Sequence, residues 1–297
     1  MHLQQKASEK NVLSLNSITL TVNNRPHYLR RCLQMLSQVS DIANWHLYIG
    51  LEPGNETCAQ LCRDIAFMPC TILYNSQSLG VRGNPYGVLQ YTFNHGSEIN
   101  IYLEDDIIVS PDICHLALWY KQLVREDKLF DVRIFFMSLF VTSKGTEAVN
   151  EFTASELFSP WGLIINRYQW VNLVEPCWWN DNHNYPCEQD WTLSLSHRMN
   201  KNSNLTVLAP LLSRSLNIGR EDGEHSHPER HDLLMKGLVM NLEPGPFDYK
   251  INPKAKIPWR CMNYDIMTAV DTTRDGKIFE TERMTTQSIK TDGQSLV

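Results

Sequence analysis

Residues 100–112, NIYLEDDIIVSPD, set Glu104, Asp105 and Asp106 between an apolar run and Ile107-Ile108-Val109. Three adjacent carboxylates at the end of a buried strand repel one another and resist leaving water, and the obvious offset is a cation. Oxygen ligands suit a hard divalent ion, Mg²⁺ or Mn²⁺. Side chains alternate along an extended segment, so Glu104 and Asp106 point one way and Asp105 the other. A second acid pair, Glu188 and Asp190 in NYPCEQDWTLSLS, falls in the first turn of an expected helix, where the macrodipole favours negative charge. His225, His227 and His231 crowd the segment SLNIGREDGEHSHPERH without the spacing of a zinc motif such as HExxH. The loop VEPCWWNDNHNYPCEQDW joins flat aromatic faces to amides, a combination that suits sugar rings. Each group also has a plainer use: the acids as ion-pair partners or helix-end charges, the Trp residues as core.

The elements that position these residues alternate. SITLTV (17–22) reads as a β-branched strand; Pro26 then opens a helix whose apolar residues fall at 28, 29, 32, 33 and 36. HLYIGLE (46–52) is a second strand, ETCAQLCRDIAF a second helix, CTILYN (70–75) a third strand, and SQSLGVRGNPYG a Gly/Asn/Pro loop. INIYL (99–103) is a fourth strand and ends on the three acids. Strands alternating with helices predict a parallel sheet covered on its faces. In such sheets ligands bind beyond the carboxyl ends of the strands, where Asn23-Asn24-Arg25, Glu52, Asn75 and the acidic triplet all fall. The second part is mixed: VRIFFMSLF (132–140) and LFSPWGLIIN (157–166) read as strands, CEQDWTLSLSHRMN (187–200) as a helix, and LTVLAPLLSRSLNIG as extended chain. The last ~50 residues are poorly periodic, which predicts loose packing.

The 297 residues suffice for a large core, with 42% hydrophobic and 20% charged residues, ordinary globular values. A net charge of −6 argues against a nucleic-acid binder. There is no run of ~20 apolar residues and no apolar leader, so the expectation is a cytoplasmic chain, at most peripheral to a membrane. The eight cysteines are scattered and read mainly as buried thiols, with Cys177 and Cys187 able to pair if the compartment is oxidising.

Taken in order along residues 17–240, TLTVNNRPHYLRRCLQML, NSQSLGVRGNPYG and YLEDDIIVSPD resemble the opening strand-turn-helix, the donor loop and the DxD element of GT-A fold glycosyltransferases. The nearest resemblance is to the N-acetylglucosaminyltransferase I-like family, which also writes the last element E-D-D. The resemblance implies an α/β GT-A fold, with a Rossmann-like, mostly parallel sheet flanked by helices and a smaller mixed acceptor part. It divides the chain into an N-terminal extension (1–16), a nucleotide-sugar half (17–110), an acceptor half (111–245) and a C-terminal extension (246–297). It implies that Asp106 holds the metal, Mn²⁺ or Mg²⁺, that Asp105 contacts the ribose with Glu104 assisting, and that Glu52 reads the base or ribose. Asn23 and Asn84 belong to the donor side, and Arg25 and Arg82 suit its diphosphate, because Arg recognises phosphate oxygens by a planar fork. Arg214 and Arg220 are further candidates for neutralising phosphate. Asp190, with Glu188 as runner-up, resembles the base that takes the proton of the attacking hydroxyl. His225, with His227 as alternative, resembles a late metal ligand. Trp161 and Gly162 resemble the floor of the acceptor pocket, and Trp178 and Trp179 are acceptor candidates by their place just before Asp190.

The function expected is metal-dependent, inverting transfer of a sugar from a nucleoside diphosphate sugar, UDP favoured, to a hydroxyl of a glycan, polysaccharide or glycolipid. Two rivals stand beside it. A sugar-phosphate nucleotidyltransferase would carry a Gly-rich loop after the first strand, and TVNNRPH has no glycine. A non-catalytic carbohydrate-binding domain would bind without turnover.

Overall fold

A computed structural model describes residues 16–125, 134–179, 191–192, 195–196, 199, 205–222 and 227–257. They lie in one compact unit, Met1–Trp259, and Arg260–Val297 fall outside the described residues. The strands are β1 (Asn16–Val22), β2 (His46–Leu51), β3 (Cys70–Tyr74), β4 (Ile99–Glu104), β5 (Ile107–Val109), β6 (Ile134–Ser138), β7 (Glu151–Ser155), β8 (Leu163–Asn166), β9 (Thr206–Pro210), β10 (Ser215–Asn217) and β11 (Lys250–Ile251). The helices that flank the first four strands are α1 (Pro26–Leu36), α2 (Glu56–Arg63), α3 (Gly80–Asn94) and α4 (Ile113–Arg125).

Nine of the described strands form one mixed sheet in the order β11-β7-β9-β6-β8-β4-β1-β2-β3, with β5 and β10 paired separately. β3, β2, β1 and β4 are all parallel, and β6 and β9 run with them; β8 is antiparallel to both its neighbours, and β7 is antiparallel to β9 and parallel to β11. The protein is therefore mixed α/β with a large, mostly parallel central sheet flanked by helices, as the alternation of strands and helices predicts. Strands from both expected halves lie in this one sheet.

Alternate residues along each strand feed opposite layers. Ile101, Leu103, Ile164 and Leu208 join α1, α2 and α4 residues in one core, whereas Tyr102, Leu163, Ile165 and Val207 join Leu89 and Phe93 of α3 in another. Beneath α3 the face of β1 is polar. Ser17 and Thr19 are fully buried, and Asn100 Nδ2 donates to the hydroxyls of both at 2.8 Å. Ser17 also shares a 2.6 Å hydrogen bond with Ser97.

Two expectations change. GVRGNPYG is not a loop but the opening of α3, with Pro85 inside the helix. The cap comes from afar: the Glu52 carboxylate accepts from the backbone N–H of Leu79 (3.0 Å) and Gly80 (3.1 Å). LFSPWGLIIN is strand only from Leu163, because Gly162 turns the chain with φ +97° before it. β5, β7 and β11 were not foreseen; β11 has two residues and β5 three.

Candidate functional site

β1 pairs with β2 on one side and β4 on the other, so the strand order reverses beside β1. The crevice beyond the carboxyl ends at such a switch is the favoured ligand position of an open α/β sheet. The end of β1 delivers Asn23 and Arg25 there, and the end of β4 delivers the acids. Arg25 takes the N-cap position of α1, with Pro26 behind it. Its Nη2 lies 2.5 Å from Asp105 Oδ1 and its Nη1 2.8 Å from Asp106 Oδ2. Asn23 N–H donates to Asp105 Oδ2 at 3.0 Å.

The late segment NIGRE closes over the same atoms. β10 runs antiparallel to β5, and Ile218 N–H donates to the Asp106 carbonyl at 2.8 Å. Gly219 lies against the Asp106 side chain: a Cβ there would overlap Oδ2 and stand 2.8 Å from Cγ. Glu221 N–H donates to Tyr28 Oη at 2.9 Å, and Tyr28 lies under the Arg25 guanidinium, 5.7 Å from ring centre to Cζ.

Both aspartates are buried, at 1% and 5% exposure. Burial raises the Asp105 carboxyl above its usual range, and Arg25 opposes the rise. Burial and then the Asp106 charge push Glu104 up to about 8; Tyr102 Oη donates to Glu104 at 2.9 Å and pulls the other way. Arg25 is lowered by burial but raised overall by Asp106 and Asp105.

Among the described residues no three His, Cys, Asp or Glu side chains gather into a ready-made metal cage. A hard divalent ion needs less, since one or two carboxylates with waters and substrate phosphates hold Mg²⁺. Asp106 Oδ1 meets that need in kind: it is buried and, among the described residues, has no hydrogen-bond partner. The donor set fits such an ion.

The other expected residues separate from this cluster or take structural work. Glu52 caps α3, as above. Arg82 is buried, donates from Nε to Trp178 O at 3.0 Å and stacks 4.8 Å from the Trp179 ring centre, so it is not a free fork for phosphate. Asn84 Nδ2 donates to Gly50 O at 2.9 Å and sews α3 to β2. Trp178 is fully buried, its ring stacked 4.8 Å from that of Trp191 and its Nε1 donating to Arg82 O at 3.1 Å; no face of it is open to a sugar. Trp179 is 48% exposed. Trp161 is half-buried, edge-on to Phe140, and Gly162 sits where a Cβ would stand 3.1 Å from Leu139 and 3.3 Å from Ser215 Oγ. His227 is the exposed N-cap residue of the helix Pro228–Met235. Glu188, Asp190, His225 and Cys187 lie outside the described residues; Trp191, just after Asp190, is helical.

Arg214 is corrected most sharply. It is fully buried, with Nε 2.9 Å from Asp112 Oδ2, and serves no phosphate. Asp112 also accepts from Tyr249 Oη (2.9 Å), Ser110 Oγ (2.5 Å) and Asn241 Nδ2 (3.1 Å). Arg220 pairs with Asp232 at 2.8 Å. Sequence reading missed the closeness of Gly219 to Asp106; the only signal was a glycine in an otherwise strand-like run.

No family model and no curated protein matches the sequence. Solved structures of similar chain path do exist. TarS of S. aureus in complex with UDP-GlcNAc is 10% identical over 74% of this chain and 64% of its own, with a TM-score of 0.48. The mannosyltransferase PcManGT of Pyrobaculum calidifontis, in complex with GDP-Man and Mn²⁺, is 11% identical over 52% of this chain and 46% of its own (TM-score 0.38). The galactosyltransferase LgtC with donor and acceptor sugar analogues is 11% identical over 76% of this chain and 98% of its own (TM-score 0.36). The chain spans about half of PcManGT and just under two thirds of TarS.

Proposed function

We propose that the protein is a GT-A type, metal-dependent glycosyltransferase that moves a sugar from a nucleoside diphosphate sugar to an acceptor hydroxyl with inversion. The observation that carries this reading is the buried, unpartnered Asp106 Oδ1, held at the switch point between β1 and β4 beside an arginine fork. Asp106 is the metal-holding residue, with His225 or His227 as the second ligand that the sequence resemblance offers. When bound, Mn²⁺ or Mg²⁺ supplies Lewis-acid stabilisation of the leaving diphosphate.

The chain's own groups do the rest. Asp105, held by Asn23 N–H, faces the donor's ribose with Glu104 behind it. Glu52 fixes the start of α3 and so shapes the donor loop. Asp190, with Glu188 as alternate, accepts the proton of the acceptor hydroxyl as it attacks the anomeric carbon; a carboxylate within ~3 Å suffices. Trp161 and Trp179 offer aromatic surface to the acceptor, a glycan, polysaccharide or glycolipid. The sequence resemblance favours a UDP sugar, with UDP-GlcNAc the first to try.

The test is a panel of UDP and GDP sugars with glycan acceptors, with and without Mn²⁺, with the anomeric configuration of the product read by NMR. Asp106→Asn is expected to lose transfer and metal-dependent donor binding together. Undiminished transfer in EDTA overturns the metal assignment, and binding without any turnover or donor hydrolysis overturns the enzyme reading.

A further inference from the structure

The two aspartates already share a cation, and it belongs to the chain. Arg25 reaches two different carboxylates with its two terminal nitrogens, at 2.5 and 2.8 Å, and its side chain is only 12% exposed. Charge-assisted contacts of this forked kind are the strong ones. Asp106 Oδ2 is thereby engaged, and of that carboxylate Oδ1 has no partner among the described residues. A divalent ion seated on Asp106 would stand beside the guanidinium, and like charges in a partly dry crevice repel far more than in water.

We propose that Arg25 is the resident counter-ion of the acid pair and exchanges with the divalent cation. Metal arrival expels the guanidinium from Asp106, and the freed fork turns to the donor's diphosphate. The exchange rests on the nucleotide-sugar reading of the same crevice. It makes the metal and the donor depend on each other. Without a diphosphate the guanidinium loses Asp106 and keeps only Asp105, with no new anion to replace the lost contact, so metal alone binds poorly. With one, each ligand favours the other, and the coupling is reciprocal.

The test measures Mn²⁺ binding to the protein alone, by loss of the free aquo-ion signal in electron paramagnetic resonance. Arg25→Gln is expected to bind Mn²⁺ at least about tenfold tighter than wild type, because the competing charge is gone. Arg25→Lys, which keeps the charge, stays within about threefold of wild type on the same grounds. A Kd for Arg25→Gln equal to or weaker than that of wild type overturns the exchange, as does no detectable Mn²⁺ binding to that variant.

If Arg25→Gln does not fold, wild type decides. In ¹⁵N-labelled protein titrated with Mg²⁺, the Arg25 Nε–Hε resonance is expected to move together with the Asp106 amide, and an unmoved Arg25 resonance while that amide shifts overturns the proposal. Failure of wild type to transfer any sugar would strike the transferase reading, while the metal titrations would still decide the exchange.

Discussion

Gly219→Ala tests how the late segment holds the acid edge. Gly219 is not among the glycines with positive φ, so its backbone accepts alanine and the effect is purely steric. The added Cβ would overlap Asp106 Oδ2, stand 2.8 Å from Cγ and 3.1 Å from the Asp106 Cβ. The carboxylate cannot simply swing aside, because it is 5% exposed and held by Arg25 at 2.8 Å. Overpacking costs about 1–3 kcal/mol and a lost charged hydrogen bond about 1.5–3, so the expected loss is about 2.5–6 kcal/mol. Urea unfolding of wild type, Gly219→Ala, Asp106→Ala and the double variant measures it as a cycle. In the Asp106→Ala background the two nearest colliding atoms, Oδ2 and Cγ, are absent and only the Cβ at 3.1 Å remains, so Gly219→Ala should cost less than about 1 kcal/mol, leaving a coupling above about 1 kcal/mol. Equal costs in both backgrounds would refute the close approach as the cause.

Arg214→Ala leaves Asp112 buried and unpaired, so it should cost about 3–5 kcal/mol in urea unfolding; a loss under about 1 kcal/mol would mean the pair is not buried as described. Glu52→Gln weakens the acceptor for two N–H groups at the start of α3, and hydrogen exchange at Leu79 and Gly80 should speed up, with about 1 kcal/mol of stability lost; unchanged exchange there would count against the cap. Burial lowers the His46 imidazole below its ordinary 6.5. The unfolded chain then binds more protons near that pH, so stability is full above about 6.5 and falls as pH drops toward the folded value. Melting temperatures of wild type should drop over that window, and His46→Gln should flatten the drop; parallel curves would exclude His46 as the cause.

What the sequence made legible was local. β1 and α1 follow from a β-branched run, Pro26 and helical spacing, and the acids at the end of β4 could be placed because an apolar strand leads straight into them. What stayed hidden was long-range. The start of α3 needs a cap from a residue 27 positions earlier, so Gly80–Pro85 looked like loop. Arg214 beside a Gly- and His-rich stretch looked available to phosphate, but its partner Asp112 lies 102 positions away in the chain. Trp178 and Trp179 are neighbours of one type, and contacts distant in sequence, with Arg82, Trp170 and Trp191, hold one of them inward. Composition registers none of these pairings, because each is decided by which elements the sheet order brings together.

The β5–β10 ladder has a consequence for how the protein is made. The acids emerge from the ribosome well before Ser215–Asn217, yet Asp106 is fixed in part by Ile218 and Gly219. β1 to β4 can assemble as the chain emerges, but their acid edge waits for a strand that follows α4 and β6 to β9, and bringing such distant segments together carries an entropic cost. The crevice is therefore among the last parts of the molecule to take shape, and a nascent chain halted before residue 215 would present a formed sheet with an unfinished centre.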